Sequence, residues 1–323
     1  MKIAIIGATS QIAKDFIIQC NDEHALLLFS RKPDAVQEFM RNIGYTSFTS
    51  LHYNVLKGRQ FYVDAVINFV GVGDPVRLLN MQDSIFDITK EYDELSMQFL
   101  RKPETRYIFI SSGAAYGGTF DKAVERGTPI TYPSSISKHH YYGLAKWMAE
   151  VRHRVMYTKH IVDLRVFNYF SSTMPLSSKF MIMEMMNAIL RQRGVDPTPY
   201  AIDDFPLMRD FIGPEDLHRL IMCILAVPGF NAALDVYTKE PISKRMLLEA
   251  LNHRYGLQFQ IAERIFHAPT GRKPNYYSKH HRAAEIGYQP QMTSLETIFK
   301  EADQLLERYD PGSQSKSQGL QDT

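Results

Sequence analysis

Cysteine is nearly absent from this sequence, which contains only Cys20 and Cys223. This scarcity excludes a framework of disulfides and predicts a reducing compartment, so we expect a cytoplasmic protein. Both cysteines stand in apolar surroundings, FIIQC and LIMCIL, which predicts buried free thiols. The sequence also lacks an apolar run of about 20 residues and a charged-then-apolar leader, so we expect neither a membrane span nor a signal peptide.

A strong excess of charge of one sign is missing as well. The formal net charge is +2 at pH 7, and no block of Lys and Arg is dense enough to follow a nucleic-acid backbone. The histidine pairs His139-His140 and His280-His281 have no further ligand at the spacing of a metal site, so no metal is expected. At 323 residues, 45% of them hydrophobic, the chain suits one large domain or two small ones.

Short apolar runs alternate with segments of helical periodicity in the first half of the chain. The apolar runs are 2–7, 25–30, 64–71, 106–112 and 160–170. The helical segments between them are 11–20, 33–43, 82–101 and 141–159. Continuous apolar strands that alternate with helices are typical of a parallel sheet covered on both faces. We therefore predict an α/β fold with a Rossmann-type doubly wound parallel sheet.

The pattern changes beyond about residue 172, where helices predominate. They are predicted over 179–194, 216–229, 242–256 and 294–309, with a strand-like QFQIAER between the last two. The methionines of the first of these helices are expected to fill a core. We predict a first domain over 1–171 that continues in part through 205–240. A smaller mixed α/β second domain follows over 172–308, and a disordered tail over 309–323.

The opening stretch MKIAIIGATSQIAKDF resembles a nucleotide-binding turn that lacks one glycine. Such a turn needs a strand, a tight glycine bend and a helix whose first N–H groups face a pyrophosphate. Gly7 ends the strand, and Thr9 or Ser10 can cap the helix. Ser10 replaces the second glycine and can donate to a phosphate, while Ala13 replaces the third. We predict a dinucleotide site here, and a plain strand–turn–helix is the alternative.

The second apolar run ends in FSRKP and carries no carboxylate. An NAD site usually has an acidic residue about 20 residues after the glycines, where it accepts from the ribose 2′-OH. Ser30, Arg31 and Lys32 stand in that place, and an Arg there can pair with the 2′-phosphate of NADP. NADP(H) is therefore the predicted cofactor, and NAD(H) is the alternative. Without a cofactor, Arg31 and Lys32 are a solvated cation pair before a proline turn.

Two further motifs carry groups suited to proton transfer. Tyr142 and Lys146 in YYGLAK are four residues apart, so they share one face of a helix. A nearby ammonium lowers the pKa of a phenol, which lets Tyr142 exchange a proton near neutral pH. Ser112 follows a predicted strand and can hydrogen-bond the same substrate oxygen. These three are the predicted catalytic residues, although Ser112 could instead cap the strand end.

With these motifs in this order, the sequence resembles the extended short-chain dehydrogenase/reductases, which are NAD(P)-dependent nucleotide-sugar epimerases, dehydratases and reductases. GATSQIA, SSGAAYG and YGLAK are similar to the glycine, Ser/Thr-x-x-x-Tyr-Gly and Tyr-x-x-x-Lys motifs of that family. LRVFNYFS, RDFIGPEDL and SKHHRAAEIGYQP resemble three later segments, although the Gly-Pro that usually follows Asn168 is missing. The resemblance covers roughly residues 1–308. It implies an NADP-binding first domain, a substrate-binding second domain, and a homodimer formed through 82–101 and 141–159.

The resemblance also implies which residues surround the two ligands. Those expected at the cofactor are Gly7, Thr9, Ser10, Gln11, Ile12, Ser30, Arg31, Lys32, Asn54, Val55, Phe69, Val70, Gly71, Tyr142, Lys146 and Phe167. Those expected at the nucleotide sugar are Gly113, Ala114, Asn168, Arg209 and Arg272, with Arg264 as the competitor of Arg272.

The two residues after Ser112 reduce the number of reactions that the sequence allows. A 4,6-dehydratase of this family has an Asp-Glu pair there, whereas this chain has Gly113 and Ala114, which cannot transfer protons. Because cells keep NADPH reduced, we predict an NADPH-dependent reductase of a nucleotide-linked keto-sugar of the 4-keto-6-deoxy type. An NAD(P)-dependent nucleotide-sugar epimerase is the alternative, and a non-catalytic NADP sensor or scaffold is a third interpretation.

Overall fold

The computed structural model describes residues 1–71, 75–194, 196–263 and 272–309. The strands in these residues are β1 (Lys2–Ile6), β2 (Ala25–Ser30), β3 (Phe48–His52), β4 (Ala65–Asn68), β5 (Arg106–Ser112), β6 (His160–Val166), β7 (Asn168–Tyr169), β8 (Tyr200–Ile202), β9 (Met208–Arg209), β10 (Phe211–Ile212), β11 (Ala232–Asp235), β12 (Ile242–Ser243), β13 (Phe259–Ile261) and β14 (Asn275–Tyr276).

The helices of the same residues pack on the faces of the main sheet or, for the last part of the chain, around a second core. They are α1 (Gln11–Gln19), α2 (Pro33–Asn42), α3 (Pro75–Met81), α4 (Ser84–Met97), α5 (Lys138–Val155), α6 (Met181–Arg193), α7 (Pro214–Ala226), α8 (Lys244–Tyr255) and α9 (Ser294–Tyr309). Short 3₁₀ segments follow β3 and β5, at Tyr53–Lys57 and Gly113–Tyr116.

The main sheet confirms the predicted α/β fold. Its seven strands run parallel in the order β11-β6-β5-β4-β1-β2-β3. Residues of β1 alternate between two buried clusters, with Ile3 and Ile5 in one and Ala4 and Ile6 in the other. A strand buried on both faces has no polar face, which is why its sequence is a continuous apolar run.

The order of the strands reverses at β1, because β2 lies on one side of β1 and β4 on the other. In an open parallel sheet the crevice at the carboxyl ends of the strands beside such a switch point is where ligands bind. The glycine turn after β1, the end of β4 and the end of β5 all open onto this edge. The fold therefore brings together segments that are more than 100 residues apart in the chain.

A second core lies beneath the small sheets of the C-terminal part. It includes Met183, Met185 and Met186 of α6, each with 0% exposure, which confirms that these methionines fill a core. The chain returns to the main sheet after α6, since β11 pairs with β6 and α7 packs on α1. The domain boundaries drawn from the sequence stay a prediction.

Several elements differ from those predicted. The sequence pattern did not predict β3, α3 or β11. FTSLH is a mostly polar edge strand, and AALD is an edge strand of four residues, too short to show a period. Helix α5 begins at Lys138, ahead of the predicted 141, because Ser137 and His140 form a capping box. Cys20 is buried as predicted, but Cys223 is only partly buried, since it lies at the margin of the core.

The predicted tail begins one residue too early. Tyr309 is the last residue of α9, because the amphipathic pattern of this helix continues to its end. The rest of that tail, 310–323, lies outside the described residues.

Candidate active site

The turn after β1 can only be made by glycine. Gly7 has φ +85°, and a Cβ there would lie 2.9 Å from Val70 Cγ2 and 3.1 Å from the Val70 nitrogen. The chain then enters α1, where the Ser10 hydroxyl accepts from the Ala13 N–H at 3.3 Å and so caps the helix. The first N–H groups of α1 thus open onto the crevice, which is the arrangement that a pyrophosphate requires.

The side chains that follow Gly7 have different surroundings. Thr9 is exposed, and Ile12 packs partly against the core. The Gln11 amide donates to Asp15 and to the Thr173 hydroxyl, so it joins α1 to the segment after β7. The side-chain NH2 of Gln11 is therefore already engaged, whereas Thr9 and Ser10 keep their hydroxyls near the turn.

The end of β2 presents two cations and no carboxylate. Ser30 is fully buried and accepts from the Lys32 N–H at 3.1 Å, whereas Arg31 and Lys32 are exposed. Arg31 forms no ion pair with a carboxylate in the part of the chain that the structure describes. Two partly buried phenols, Tyr53 and Tyr92, lie nearby. Their partial burial raises the pKa of each, and the positive charge of Arg31 opposes this rise.

The remaining residues predicted at the cofactor line the same edge of the sheet. Asn54 is exposed after β3, and Val55 beside it packs partly against the core. Phe69 is buried behind the end of β4, with its ring centroid 5.6 Å from that of Phe16. Gly71 adjoins the predicted catalytic residues, since a Cβ there would lie 3.4 Å from Lys146 Nζ.

Ser112, Tyr142 and Lys146 come together at the carboxyl end of β5. The Ser112 hydroxyl lies near the Tyr142 phenol and lowers its pKa. Lys146 Nζ donates to the Ile110 carbonyl at 2.7 Å and lies 5.9 Å from the centroid of the Tyr142 ring. Gly143 makes this approach possible, because a Cβ there would lie 2.2 Å from the Ala114 carbonyl oxygen. Helix α5 can therefore pack directly on the segment after Ser112.

Burial dominates the electrostatics of this group. It lowers the pKa of Lys146 to about 8, although the carboxylates of Asp93, Glu150 and Asp163 oppose the change. Burial also raises the pKa of Tyr142, and the hydrogen bond with Ser112 opposes that rise. The unliganded site thus favours a neutral phenol beside an ammonium that can lose its proton in the alkaline range.

The segment after Ser112 leaves no room for a side chain. A Cβ on Gly113 would lie 2.3 Å from the ring of Phe167, which is itself buried. Neither Gly113 nor Ala114 carries a group that can transfer a proton. Phe167 therefore closes the place where an acid would otherwise stand.

Two residues predicted at the substrate lie beside this segment. The Asn168 amide donates to the carbonyls of Asp210 and Tyr276, each at 3.2 Å, so it holds two chain segments together. Arg209 donates to the carbonyl oxygens of its neighbour Met208 and of Lys273 and Pro274 before β14. Burial lowers the pKa of Arg209 to about 10.

The second cation beside Arg209 is Lys273 and not Arg272. Arg272 lies over the Phe205 ring at 4.5 Å and 3.7 Å from an oxygen of Asp203, so it already has partners. Burial lowers the pKa of Lys273 to about 8, and the charge of Arg209 lowers it further. The competing candidate, Arg264, lies outside the described residues.

Sequence analysis missed two residues at the centre of the site, Lys273 and Tyr276. The Tyr276 hydroxyl lies 3.1 Å from Ser112 Oγ, and Lys273 Nζ lies 4.6 Å from the centroid of the Tyr276 ring. The only signal in the sequence is the pair of tyrosines in PNYYS, which does not show which phenol faces the site.

The described ranges contain no group of three or more His, Cys, Asp and Glu side chains arranged to hold a metal ion. None of their helices combines the length and the apolar character needed to cross a membrane.

A comparison with known protein families identifies the family to which this chain is similar. Residues 3–237 match the model of the NAD dependent epimerase/dehydratase family. No relative is found among curated protein sequences.

Solved structures share the fold over nearly the whole chain. UDP-glucose-4-epimerase from Stenotrophomonas maltophila, with bound NAD and formylated UDP-arabinopyranose, is 16% identical, with a TM-score of 0.77 over 95% of this chain and 98% of that one. UDP-N-acetylglucosamine 4-epimerase from Methanobrevibacter ruminantium M1 is 15% identical, with a TM-score of 0.76 over 95% and 98%. The dTDP-glucose 4,6-dehydratase from Bacillus anthracis, in complex with NAD, is 14% identical, with a TM-score of 0.73 over 96% and 97%.

At this level of identity the solved structures establish the fold, and the family model establishes membership because it matches more than half of the chain. The resemblance to the extended short-chain dehydrogenase/reductases is thereby confirmed. The chain is an enzyme that belongs to the NAD dependent epimerase/dehydratase family.

Proposed function

We propose that this enzyme reduces a carbonyl carbon of a nucleotide-linked keto-sugar, with NADPH as the hydride donor. The observation that carries the proposal is the meeting of Ser112, Tyr142 and Lys146 beside the Gly7 turn. A bound nicotinamide dinucleotide supplies the hydride chemistry at this edge of the sheet. The protein has to hold the sugar oxygen and give it a proton.

The three side chains divide this work. Ser112 donates a hydrogen bond to the carbonyl oxygen of the sugar and polarises it. Tyr142 gives its proton to that oxygen as charge develops there. The Lys146 ammonium stabilises the Tyr142 phenolate that remains. Ser112 and Lys146 are buried and Tyr142 is half-buried, which limits the access of water and strengthens each of these interactions.

The preference for NADPH rests on Arg31. It is exposed at the end of β2, which is where a carboxylate would bind the ribose of NAD. A guanidinium there can bind a 2′-phosphate with two hydrogen bonds. Lys32 adds a second exposed positive charge next to it.

The substrate is proposed to carry a diphosphate. Arg209 and Lys273 lie close enough together to lower the pKa of Lys273, and neither forms an ion pair with a carboxylate among the residues that the structure describes. Two adjacent, partly buried cations without a counterion are costly, so the site favours a dianionic ligand. A nucleoside diphosphate sugar supplies this charge next to its sugar ring.

A nucleotide-sugar epimerase is the second candidate. The first two structures compared above are UDP-sugar 4-epimerases, and the same Ser, Tyr and Lys groups could act on a sugar that is oxidised and then reduced again. We also propose a homodimer, since Met148, Val151 and Val155 form an exposed apolar stripe on α5. The cytoplasmic location stays a prediction.

One reaction separates the two candidates. The protein is incubated with NADPH and a panel of 4-keto-6-deoxy and other nucleotide sugars, and NADPH absorbance is followed together with product by NMR. We expect NADPH consumption equal to the product formed. Conversion of a sugar without net loss of NADPH would instead establish an epimerase. NADPH binding without turnover of any sugar would contradict both.

A further inference from the structure

Tyr276 reaches the catalytic group from the C-terminal part of the chain. It lies on β14, which pairs with β9, and its hydroxyl is 3.1 Å from Ser112 Oγ. None of the family motifs identified in the sequence includes this residue.

The hydroxyl of Ser112 has few hydrogen bonds left to give. A serine hydroxyl has one proton to donate and two lone pairs to accept with. Ser112 Oγ accepts from the Ala114 N–H at 3.2 Å and lies 3.1 Å from the Tyr276 hydroxyl. It also faces the Tyr142 phenol, whose pKa it lowers. Ser112 can donate to only one of these two phenols, so the other phenol must donate to Ser112.

Ionisation of Tyr142 fixes the direction of the hydrogen bonds that link Tyr276, Ser112 and Tyr142. A phenolate has no proton to give, and the sugar oxygen that received the proton of Tyr142 no longer needs the hydrogen bond from Ser112. Ser112 must then donate its only proton to Tyr142. Tyr276 must then donate to Ser112 for the contact to remain favourable. Burial raises the pKa of Tyr276 above its usual range, which keeps its proton available.

The surroundings of Tyr276 hold the phenol in place. Its ring centroid lies 4.9 Å from that of Phe120 and 5.1 Å from that of Phe167. Its carbonyl accepts from the Asn168 amide. Lys273 lies 4.6 Å over the ring, where a positive charge makes the O–H a stronger donor. The position is therefore built by the protein without a substrate.

We propose that Tyr276 is a positioning residue, whose O–H donates to Ser112 Oγ and so directs the single Ser112 proton to Tyr142 whenever Tyr142 is ionised. This inference rests on the proposed role of Tyr142 in proton transfer. The charged and titratable groups around these hydroxyls are Lys146 on α5, Arg209 on β9, Lys273 before β14, and Tyr132 beside Ala114.

The test compares Tyr276→Phe with Tyr132→Phe. Tyr132 is a matched control because its hydroxyl contacts the Ala114 and Ala115 carbonyls, at 3.4 Å and 3.2 Å, and not Ser112. Tyrosines labelled at the ζ carbon are titrated by NMR in the cofactor-bound protein, and the Tyr142 signal is assigned by its loss in Tyr142→Phe. We expect Tyr276→Phe to raise the pH at which Tyr142 ionises by about one unit, as loss of one hydrogen bond to a charged network implies. Tyr132→Phe should leave that pH unchanged.

A double substitution tests whether the effect passes through Ser112. In a Ser112→Ala protein, Tyr276→Phe should cause no further shift. A shift that persists there, an equal shift in both single variants, or no shift in Tyr276→Phe would overturn the proposal. So would a rise in kcat/KM without a change in titration, because Tyr276 would then merely occupy space needed by the sugar.

Turnover is measured separately on the same proteins. If no nucleotide sugar reacts, the proposed function fails while the NMR titration still decides the role of Tyr276. If turnover is found, the limb of the kcat–pH profile that reports Tyr142 should move by the same amount as the NMR titration.

Discussion

His153 is the buried group whose protonation should be easiest to detect in the stability of the protein. It lies on α5 with no exposure, and its Nε2 and Nδ1 are 2.8 Å and 2.6 Å from oxygens of Asp93 and Asp163. A neutral imidazole carries one N–H and can donate to only one carboxylate, whereas an imidazolium donates to both. Burial lowers the pKa of His153, but the two carboxylates outweigh burial and raise it to about 9.

The size of the effect follows from that shift. The pKa rises from 6.5 to about 9, and each unit is worth about 1.4 kcal/mol, so the proton stabilises the folded state by about 3 kcal/mol. Since the folded protein binds the proton more tightly than the unfolded chain, this stabilisation is complete below about pH 6.5. It falls as the pH rises and is lost above about pH 9.

Urea unfolding of wild type and His153→Gln, near pH 6 and near pH 10, measures this contribution. We expect the difference in unfolding free energy between the two proteins to be smaller at the higher pH by about 3 kcal/mol. His253→Gln is the control, because His253 is an exposed residue of α8. If the difference between wild type and His153→Gln were equal at the two pH values, His153 would not carry a proton between its carboxylates.

Three further predictions concern the site and the assembly. Tyr142→Phe should lower kcat at least about 100-fold and leave the Kd of NADPH unchanged in a fluorescence titration; near-normal turnover would remove Tyr142 from the mechanism. Arg31→Ala should raise the Kd of NADPH about 10-fold or more but not that of NADH, while Lys32→Ala has a smaller effect; equal losses for both cofactors would contradict the 2′-phosphate contact. Replacing Met148 and Val155 by Asp should give a monomer in sedimentation, and an unchanged mass would exclude this face of α5 as the interface.

The parts of the fold that the sequence predicted are those with a local cause. The bounds of β2 and β5 were predicted because each strand is a continuous apolar run. Gly7 was predicted because its turn depends on the backbone freedom of one residue, and Tyr142 with Lys146 because four residues make one helical turn.

No local feature of the sequence predicts which residue is the second cation of the substrate site. Arg272 and Lys273 are neighbours in sequence. In the fold, Arg272 lies beside Asp203, whereas Lys273 lies over the Tyr276 ring. That choice depends on the pairing of β9 with β14, which consist of two residues each. Strands this short have no periodicity, so a sequence pattern predicts neither their register nor which side chain turns inward.

Phe167 links two features that the sequence presents as unrelated. Its ring occupies the space that any side chain on Gly113 would need, and it also packs 5.1 Å from the ring centroid of Tyr276. An acid at position 113 would have to displace Phe167, and with it one wall of the position that holds the Tyr276 hydroxyl on Ser112. An acid at position 113 and the Tyr276 hydrogen bond to Ser112 therefore compete in this arrangement, because both depend on where the ring of Phe167 lies.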